Sequence, residues 1–290
     1  RVKDKVFYFP ITKIRSPYSN LAIEEGIALN LVKFGLIGGI RLWKNPECIV
    51  LGLSENPNLT IEESVITNFK NNITNKTLTK HKIDDFTYIT RRASGGGTVY
   101  QNSTDNVNYS IYISLEKRPE LFSVKDSYEA LLGLVMKALK KQSISVSSKG
   151  KSDIAVLENG MIKKISGNAQ FRKKNCIVQH GTLILDPALI KKVTGILLHP
   201  PEEPEYRKER SHNDFLTSLP NDFALDQFET DFFDTLLSYL GLENPANNEE
   251  FSFFGRGFSS FRRSVLKESE IIRKRKYESL SYILNREIPT

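Results

Sequence analysis

The spacing of apolar residues changes along the chain and separates predicted helices from predicted strands. Asn20 is the predicted N-cap of the first helix, and Asp126 with Glu129 forms a predicted capping box at the second. Glu24 and Glu25 would then lie near the start of the first helix, where its dipole favours negative charge. Apolar residues recur every three or four positions in three stretches and predict helices at residues 20–35, 126–139 and 222–240.

A second spacing, with apolar residues at every other position, predicts strands. It is clearest over residues 107–115, where the alternation is typical of a strand with one face buried. Short strands that alternate with a few long helices indicate an α+β fold, with helices packed on mixed, mostly antiparallel twisted sheets. Shorter apolar runs predict further strands at residues 6–14, 41–43, 48–53, 86–89, 144–147, 154–157, 161–165 and 176–185.

Two stretches lack this patterning. Residues 71–85 are rich in Asn, Thr and Lys and are predicted to form a solvated insertion without a core of its own. After residue 243 the composition becomes aromatic and glycine-rich, and a charged helix is predicted at residues 267–284. We therefore expect one domain over residues 1–243 and a short C-terminal extension over residues 244–290, which is short for an independent domain.

Composition and charge narrow the class of protein. The 290 residues are 39% hydrophobic and 26% charged, which is typical of a globular protein. No apolar run approaches the roughly 18 residues of a membrane helix, so no membrane partner is expected. The net charge is +7, but the Lys and Arg residues are scattered without an aromatic-interleaved motif, so nucleic acid is not expected either. A moderate positive field suits an acidic protein partner or an anionic nucleotide.

The cysteines and the first residues bear on the compartment. Cys48 and Cys176 are too few for a disulfide framework, and neither has metal-ligand spacing, so we expect a reducing compartment. The chain begins with Arg1 and Val2, so a targeting segment would lie outside this sequence. We expect a monomer in mitochondria or in the cytoplasm.

The run at residues 91–100, RRASGGGTVY, is the first candidate for a site. Three consecutive glycines lose more backbone entropy on folding than other residues, which indicates a close approach of the backbone to something else. The N–H groups of such a turn can cradle an anion, and the arginines and the serine add charge and donors. The run predicts a site for a carboxylate or a phosphate, and a hairpin with a basic edge is the alternative.

Two later runs narrow the function. Residues 163–170 read KKISGNAQ, and residues 179–185 read QHGTLIL. With the glycine run they resemble the lipoate–protein ligase and lipoyltransferase family, in which RRxSGGGxV, KxSG and HGTLL runs occur in this order. Weaker matches at residues 20–25 and 42–52 agree, and the resemblance covers roughly residues 6 to 220.

The resemblance implies the catalytic-domain fold of biotin and lipoate ligases. It also implies an enzyme that attaches a lipoyl or related acyl group to a specific lysine of lipoyl domains. These domains, in E2 subunits of 2-oxoacid dehydrogenases or in the glycine cleavage H protein, are the implied partners. Lipoate or lipoyl-AMP is the implied substrate, with ATP and Mg²⁺ as further candidates.

The resemblance places the essential lysine of the family at Lys164. A fixed ammonium can hold a carboxylate, neutralise an acyl phosphate and stabilise an oxyanion, whereas composition alone favours a solvated turn lysine. Asp153 matches a family pattern ahead of the lysine and is expected to orient Lys164 or help bind a divalent cation; a turn aspartate is the alternative. No residue is assigned as a metal ligand.

Two walls of an acyl pocket are expected around Lys164. His180, one histidine on a strand, is more often a structural hydrogen-bonding residue than a catalyst. The expected wall residues are Arg91, Ser94, Gly95, Gly96, Gly97 and Tyr100 on one side, and Ser166, Gly167, Ala169, His180, Gly181 and Thr182 on the other.

Three runs depart from the family pattern. Residues 52–57 read GLSENP where ligases usually have GRxQNP, and residues 101–108 read QNSTDNVN where they have HDxGNxN, which is one residue shorter. Residues 210–216 read RSHNDFL in place of RSRVTNL. These runs are expected near the nucleotide or the acceptor. We therefore expect transfer from preformed lipoyl-adenylate to proceed, and activation of free lipoate with ATP to be slower.

The acyl donor stays open at this point. Lipoate with ATP, lipoyl-adenylate, a lipoylated protein and an acyl thioester are the alternatives. Transfer from a thioester normally requires a cysteine nucleophile. Asp153 and its neighbours fill one place where such relatives have that cysteine, and no cysteine follows Cys176. A catalytically inactive protein that binds lipoyl domains is the alternative from another class, and the presence of Lys164 disfavours it.

Overall fold

The computed structural model describes residues 4–75, 87–243 and 248–288, which form two sheets and the helices around them. The strands of these residues are β1 Lys5–Phe9, β2 Leu36–Trp43, β3 Cys48–Leu51, β4 Tyr88–Arg91, β5 Val99–Gln101, β6 Asn106–Ser114, β7 Ser147–Lys149, β8 Asp153–Glu158, β9 Met161–Lys173 and β10 Cys176–Ile184. The helices are α1 Pro17–Asn30, α2 Pro57–Thr60, α3 Glu63–Asn75, α4 Val124–Lys141, α5 Ala188–Ile196, α6 His212–Phe215, α7 Leu225–Leu240, α8 Ser259–Ile272 and α9 Leu280–Asn285.

The larger sheet has seven strands in the order β1-β2-β6-β10-β9-β8-β7, and β1–β2 is its parallel pair. The smaller sheet has the order β4-β3-β5. These sheets and their helices confirm the predicted α+β class. Within the described residues, no helix has the length and apolar character needed to cross a membrane.

Helices α4 and α7 cover one face of the larger sheet, whereas α1 and the smaller sheet cover the other. Strand β6 is therefore buried on both faces, not half-buried as the alternation predicted. Its polar positions Asn108 and Ser110 are hydrogen-bonded in the interior, to Gln101 and Glu24. A polar residue on a strand marks a solvated face only when no interior partner exists.

The predicted caps were wrong, because serines earlier in the chain form them. Ser16 caps α1 by accepting from the Ser19 amide, and Ser123 caps α4 by accepting from the Asp126 amide. Glu24 and Glu25 therefore lie inside α1 and are buried, away from its first turn. The predicted end of α7 is confirmed, with Gly241 in the left-handed conformation at φ 70°.

The glycine run does not form a hairpin, because β4 and β5 both pair with β3 and not with each other. The strand predicted at residues 6–14 ends at Phe9, and that predicted at residues 144–147 begins only at Ser147. Residues 71–75 of the predicted insertion continue α3, and residues 76–86 lie outside the described part of the chain.

The C-terminal segment packs on α1. The predicted continuous helix is wrong, because α8 ends at Ile272 and a π-helical turn, Arg273–Tyr277, precedes α9. This turn brings the Lys276 ammonium 2.7 Å from Glu25 Oε2 and the Tyr277 hydroxyl 2.6 Å from the same oxygen. Burial raises the pKa of Glu25, but Lys276, Tyr277 and Lys173 more than offset this and hold it below its ordinary value.

Candidate active site

Lys164 and Asp153 meet on the β8–β9 hairpin. Their side chains form an ion pair with Nζ 2.8 Å from Oδ1. A β-bulge shifts the register between Ile154 and Ala155, so that Asp153 pairs with Gly167 and Ala155 pairs with Lys164. Lys164 and Gly167, three positions apart, therefore share a face. A Cβ on Gly167 would lie 2.9 Å from both Cε and Nζ of Lys164, so the glycine leaves room for the lysine.

Strand β10 pairs only with residues 166–173 of β9, and residues 204–217 cover the remaining edge of β9 beside Lys164. The Tyr206 hydroxyl donates to Asp153 Oδ2 at 2.8 Å, and the Thr217 amide donates to the Lys164 carbonyl at 2.9 Å. The Lys164 ammonium lies 6.0 Å from the centre of the Phe215 ring, within reach of a cation–π interaction. The sequence singled out neither Tyr206 nor Phe215. Its nearest signal was the departure at residues 210–216, which falls on this segment.

One face of β9 and β10 carries Gly167, Ala169, His180 and Thr182, which pair across the two strands. It is called the pocket face, after the acyl pocket expected beside Lys164. Successive side chains of a strand point to opposite faces. Gly181 accordingly faces Tyr109, whose hydroxyl a Cβ at this glycine would meet at 2.6 Å.

Ser166 also lies on the other face of the sheet. It is fully buried, with its hydroxyl 3.4 Å from Asn168 Oδ1. Ser166 and Gly181, both expected in the pocket wall, therefore point to the face of the sheet opposite to Gly167 and His180, because motif residues adjacent in sequence alternate in direction.

A chain of hydrogen bonds joins the glycine run to the pocket face. Ser94 Oγ lies 2.6 Å from His180 Nε2, and His180 Nδ1 lies 2.8 Å from Glu24 Oε2. A carboxylate only accepts, so a neutral His180 donates from Nδ1 and accepts at Nε2 from the Ser94 hydroxyl. The Arg92 Nε donates to Ser94 Oγ at 3.0 Å. Ser94 and His180 were predicted from the sequence as site residues. Arg92 was not assigned a role, and Glu24 was placed at a helix start, so the part that these two residues play was missed.

The two arginines of the run bind backbone carbonyls. Arg91 is fully buried, and its guanidinium donates to the carbonyls of Gly52, Leu53, Glu55, Tyr282, Ile283 and Leu284. Arg92 donates to the carbonyls of Gly95 and Gly97, and burial lowers its pKa to about 10. The expected contact of Arg91 with an anion is thus replaced by a structural one, since its donors are used inside the protein.

The glycines of the run allow a left-handed backbone conformation and a close contact between two backbone segments. Gly95, Gly96 and Gly97 are exposed, and Gly96 has φ +86°, a conformation that favours glycine. The carbonyl of Gly96 lies 1.8 Å from where a Cβ on Gly52 would stand, so the two segments pack backbone against backbone. The turn is therefore exposed to solvent on one side and packed against the backbone of Gly52 on the other.

Tyr100 and Thr182 are held in other contacts. Tyr100, which was expected in the pocket wall, is buried in the core of the smaller sheet and donates its hydroxyl to Glu47. Thr182 lies on the pocket face, where it accepts from Gln101 at 2.8 Å and donates to Asn108 at 2.7 Å. It links the two sheets above Gly167.

Thiol and metal chemistry find little support in the described residues. Cys48 and Cys176 are fully buried, and burial raises the pKa of both thiols. The described part of the chain holds no group of three His, Cys, Asp or Glu residues placed to bind a metal ion. Asp153, which was expected to orient Lys164 or to help bind a divalent cation, is bonded through Oδ1 to Lys164 and through Oδ2 to Tyr206.

A cavity of about 520 Å³ lies behind the glycine run, between the turn at residues 54–58 and the C-terminal residues 284–287. Its lining is mainly polar and includes Glu55, which also accepts from Thr98 at 3.1 Å. Lys164 and Asp153 do not line it.

Curated proteins are similar to part of this chain in sequence. A lipoate–protein ligase of Bacillus subtilis, LplJ, is 32% identical over 183 residues, which are 63% of this chain and 47% of the relative. The lipoate–protein ligase A of Bdellovibrio bacteriovorus is 29% identical over 178 residues, 61% of this chain and 44% of the relative. The chain thus spans less than half the length of these curated relatives.

Two solved structures share the fold over nearly the whole chain. One is the bipartite lipoate protein ligase of Thermoplasma acidophilum, solved in work on that ligase and its E2 lipoyl domain. It has a TM-score of 0.70 at 13% identity and covers 98% of this chain and 99% of its own. The other is lipoate-protein ligase A bound with ATP, with a TM-score of 0.64 at 14% identity, covering 98% and 99%. The family model of the lipoyl protein ligase A/B catalytic domain matches residues 16–239, and the chain therefore belongs to that family.

Proposed function

We propose that this protein attaches a lipoyl group to a lysine of a lipoyl domain, through a lipoyl-adenylate. The acceptors are lipoyl domains of E2 subunits of 2-oxoacid dehydrogenases or of the glycine cleavage H protein. The observation that carries the proposal is the position of Lys164. It lies beside Asp153 on the pocket face, and that face meets the exposed glycine run through His180 and Ser94. The family membership supports the reaction class.

The chemistry needs one mobile positive charge at the acyl carbon. In the adenylate, a mixed anhydride joins the lipoyl carboxyl group to the phosphate of AMP. The neutral acceptor lysine amine attacks the acyl carbon and forms the C–N bond, so that the carbonyl oxygen gains negative charge and the nitrogen gives one proton to water. The oxyanion then re-forms the C=O bond, and AMP leaves with the C–O bonding electrons. The Lys164 ammonium can stabilise both the oxyanion and the departing phosphate. Its side chain is 24% exposed, so a substrate can reach it.

The free amides of the glycine run supply the second part of the site. The backbone N–H groups of Gly95 and Gly97 donate no hydrogen bond to another described residue and lie at the surface. Such amides can bind a carboxylate or phosphate oxygen without a charged side chain. An anion could therefore bind here although Arg91 and Arg92 donate to carbonyls inside the protein.

The adenylate is favoured over a thioester donor by the two cysteines. Both are fully buried with raised thiol pKa values, and a thiolate is the form that attacks a thioester. The ATP-bound structure of a ligase with the same fold supports a nucleotide in the reaction. The 520 Å³ polar cavity beside residues 54–58 adjoins the run that departs from the family pattern. We therefore propose that activation with ATP is slower than transfer from the adenylate.

Two half-reactions test the proposal separately. Pyrophosphate release is measured with free lipoate and ATP, and the mass gain of an apo lipoyl domain is measured with synthetic lipoyl-adenylate. We expect mass gain from the adenylate and a lower rate of pyrophosphate release. Equal rates would show a full ligase, and no gain from the adenylate would contradict the proposed donor. Cys176→Ser should keep most of the activity, and an acyl group trapped on Cys176 would instead support the thioester donor.

A further inference from the structure

The two carboxylate oxygens of Asp153 are bonded to groups from different segments of the chain. Its Oδ1 pairs with the Lys164 ammonium at 2.8 Å, and its Oδ2 accepts from the Tyr206 hydroxyl at 2.8 Å. The terminal torsion of an aspartate is soft and broad when nothing holds it. With both oxygens bonded, the carboxylate has one orientation, and the position of the ammonium follows from it.

Tyr206 is itself well placed to act as a fixed donor. Burial, followed by the charge of Asp153, raises the pKa of Tyr206 well above its ordinary value, so the hydroxyl keeps its proton and donates. Its ring packs 5.2 Å from the ring of Phe215, which is almost fully buried. Gly150 faces the Tyr206 ring, and a Cβ on this glycine would lie 3.5 Å from that ring.

The segment that carries Tyr206 is hydrogen-bonded at two points to β9, the strand of Lys164. Arg210 donates to the Ile162 carbonyl at 2.9 Å and to the Tyr206 carbonyl at 2.8 Å. The Thr217 amide donates to the Lys164 carbonyl at 2.9 Å. Tyr206 therefore reaches Asp153 from a segment that is itself hydrogen-bonded to main-chain carbonyls of β9.

We propose that Tyr206 is a positioning residue for Lys164, acting through Asp153 in the chain Tyr206–Asp153–Lys164. This inference rests on the proposed function, in which the Lys164 ammonium acts at the acyl carbon. The hydroxyl of Tyr206 fixes the carboxylate, and the carboxylate holds the ammonium over Gly167 at the pocket face. Substrate affinity depends on other groups, so the hydroxyl acts on turnover more than on binding.

The test removes only the hydroxyl. In Tyr206→Phe we expect kcat for transfer from lipoyl-adenylate to fall about tenfold, because a small displacement of a reacting group has a large effect on rate. KM should stay within about twofold, and the melting temperature should not change. Tyr8→Phe is the matched control, because the Tyr8 hydroxyl also donates to a carboxylate, that of Glu229, in another part of the fold. This control should leave kcat unchanged.

A double-mutant cycle separates positioning from general support of the fold. If Tyr206 acts through Asp153, Tyr206→Phe should cause no further loss of kcat in an Asp153→Asn background. Two losses that multiply, a change confined to KM, or an unchanged kcat in Tyr206→Phe would each overturn the inference.

A second measurement does not depend on the activity. Acetic anhydride is allowed to compete for the lysines, and the labelling of Lys164 is measured by mass spectrometry relative to Lys163, which pairs with Glu158 at 2.8 Å. Tyr206→Phe should raise the labelling ratio about twofold or more, because the Lys164 ammonium is less firmly held. An unchanged ratio would overturn the inference even if the wild-type protein did not lipoylate. Lack of wild-type lipoylation with a raised ratio would contradict only the proposed function.

Discussion

The glycine run and the Lys164 hairpin both match family motifs, yet their charged residues are used in different ways. Arg91 is fully buried and donates to carbonyls of two segments far apart in sequence. Lys164 is 24% exposed and has one carboxylate partner, Asp153. A guanidinium has five donors in a planar fork and suits several fixed acceptors, whereas an ammonium on a flexible chain can exchange one partner for another.

Under the proposed function, this difference separates motif residues that build the site from those that act in it. The arginines hold the backbone of the glycine run in place and leave its exposed amides free for an anion. The lysine keeps a single, replaceable ion pair near the pocket face. The four predictions below test this division, from the largest expected effect to the smallest.

Lys164→Ala should lower acyl transfer by about 10²–10³-fold, because the charge that stabilises the oxyanion is lost. The fold should be intact, since the side chain is partly exposed. Lipoyl-domain mass gain and thermal melting are measured together, with Lys163→Ala as the control. Activity within threefold of the wild type would contradict the catalytic role of Lys164.

Arg91→Ala should act on stability. Several buried carbonyls would lose a charged donor, so we expect the free energy of unfolding to fall by about 3 kcal/mol. Urea denaturation followed by fluorescence measures this, and any loss of activity should follow the loss of folded protein. A stable Arg91→Ala protein without activity would show instead that the guanidinium contacts substrate.

Glu25→Gln should weaken the attachment of the C-terminal segment to α1, by about 1–3 kcal/mol, because the Lys276 ammonium loses its charged partner. The folded-state pKa of Glu25 is lowered, so its stabilisation is present above the ordinary glutamate pKa and is lost as the pH falls through the folded value. Stability is measured from pH 7 down to about pH 3. A variant with the same acid dependence as the wild type would contradict this role.

Gly167→Ala should reduce turnover about fivefold to tenfold with little change in stability. The new methyl group would lie 2.9 Å from Lys164 Nζ, so the flexible ammonium would have to move away from its position. Gly133→Ala in α4 is the matched control, since nothing lies within 4 Å of its added Cβ and alanine favours a helix. Equal kcat in both variants would show that the exact position of Lys164 is unimportant.

The elements and the motif order were predictable because they depend on local patterns. Helical spacing located α4 and α7, and Gly181, Ser166 and Lys164 were named from runs of adjacent letters. Their directions were not predictable, since a bulge in the β8–β9 pair decides which residues share a face with Lys164. The alternation of β6 likewise gave a strand but not its burial, because the second face is covered by segments distant in sequence.

The sequence by itself determined the fold class and the family, and it predicted Lys164 as the central residue of the site. Each follows from short-range spacing and from residue types that local chemistry requires. Only the tertiary structure decided which motif residues face the pocket, that Arg91 binds carbonyls of the C-terminal segment, and that Tyr206 reaches Asp153. These contacts join positions 53 to 193 residues apart, and no local pattern encodes which distant groups a folded chain brings within hydrogen-bonding distance.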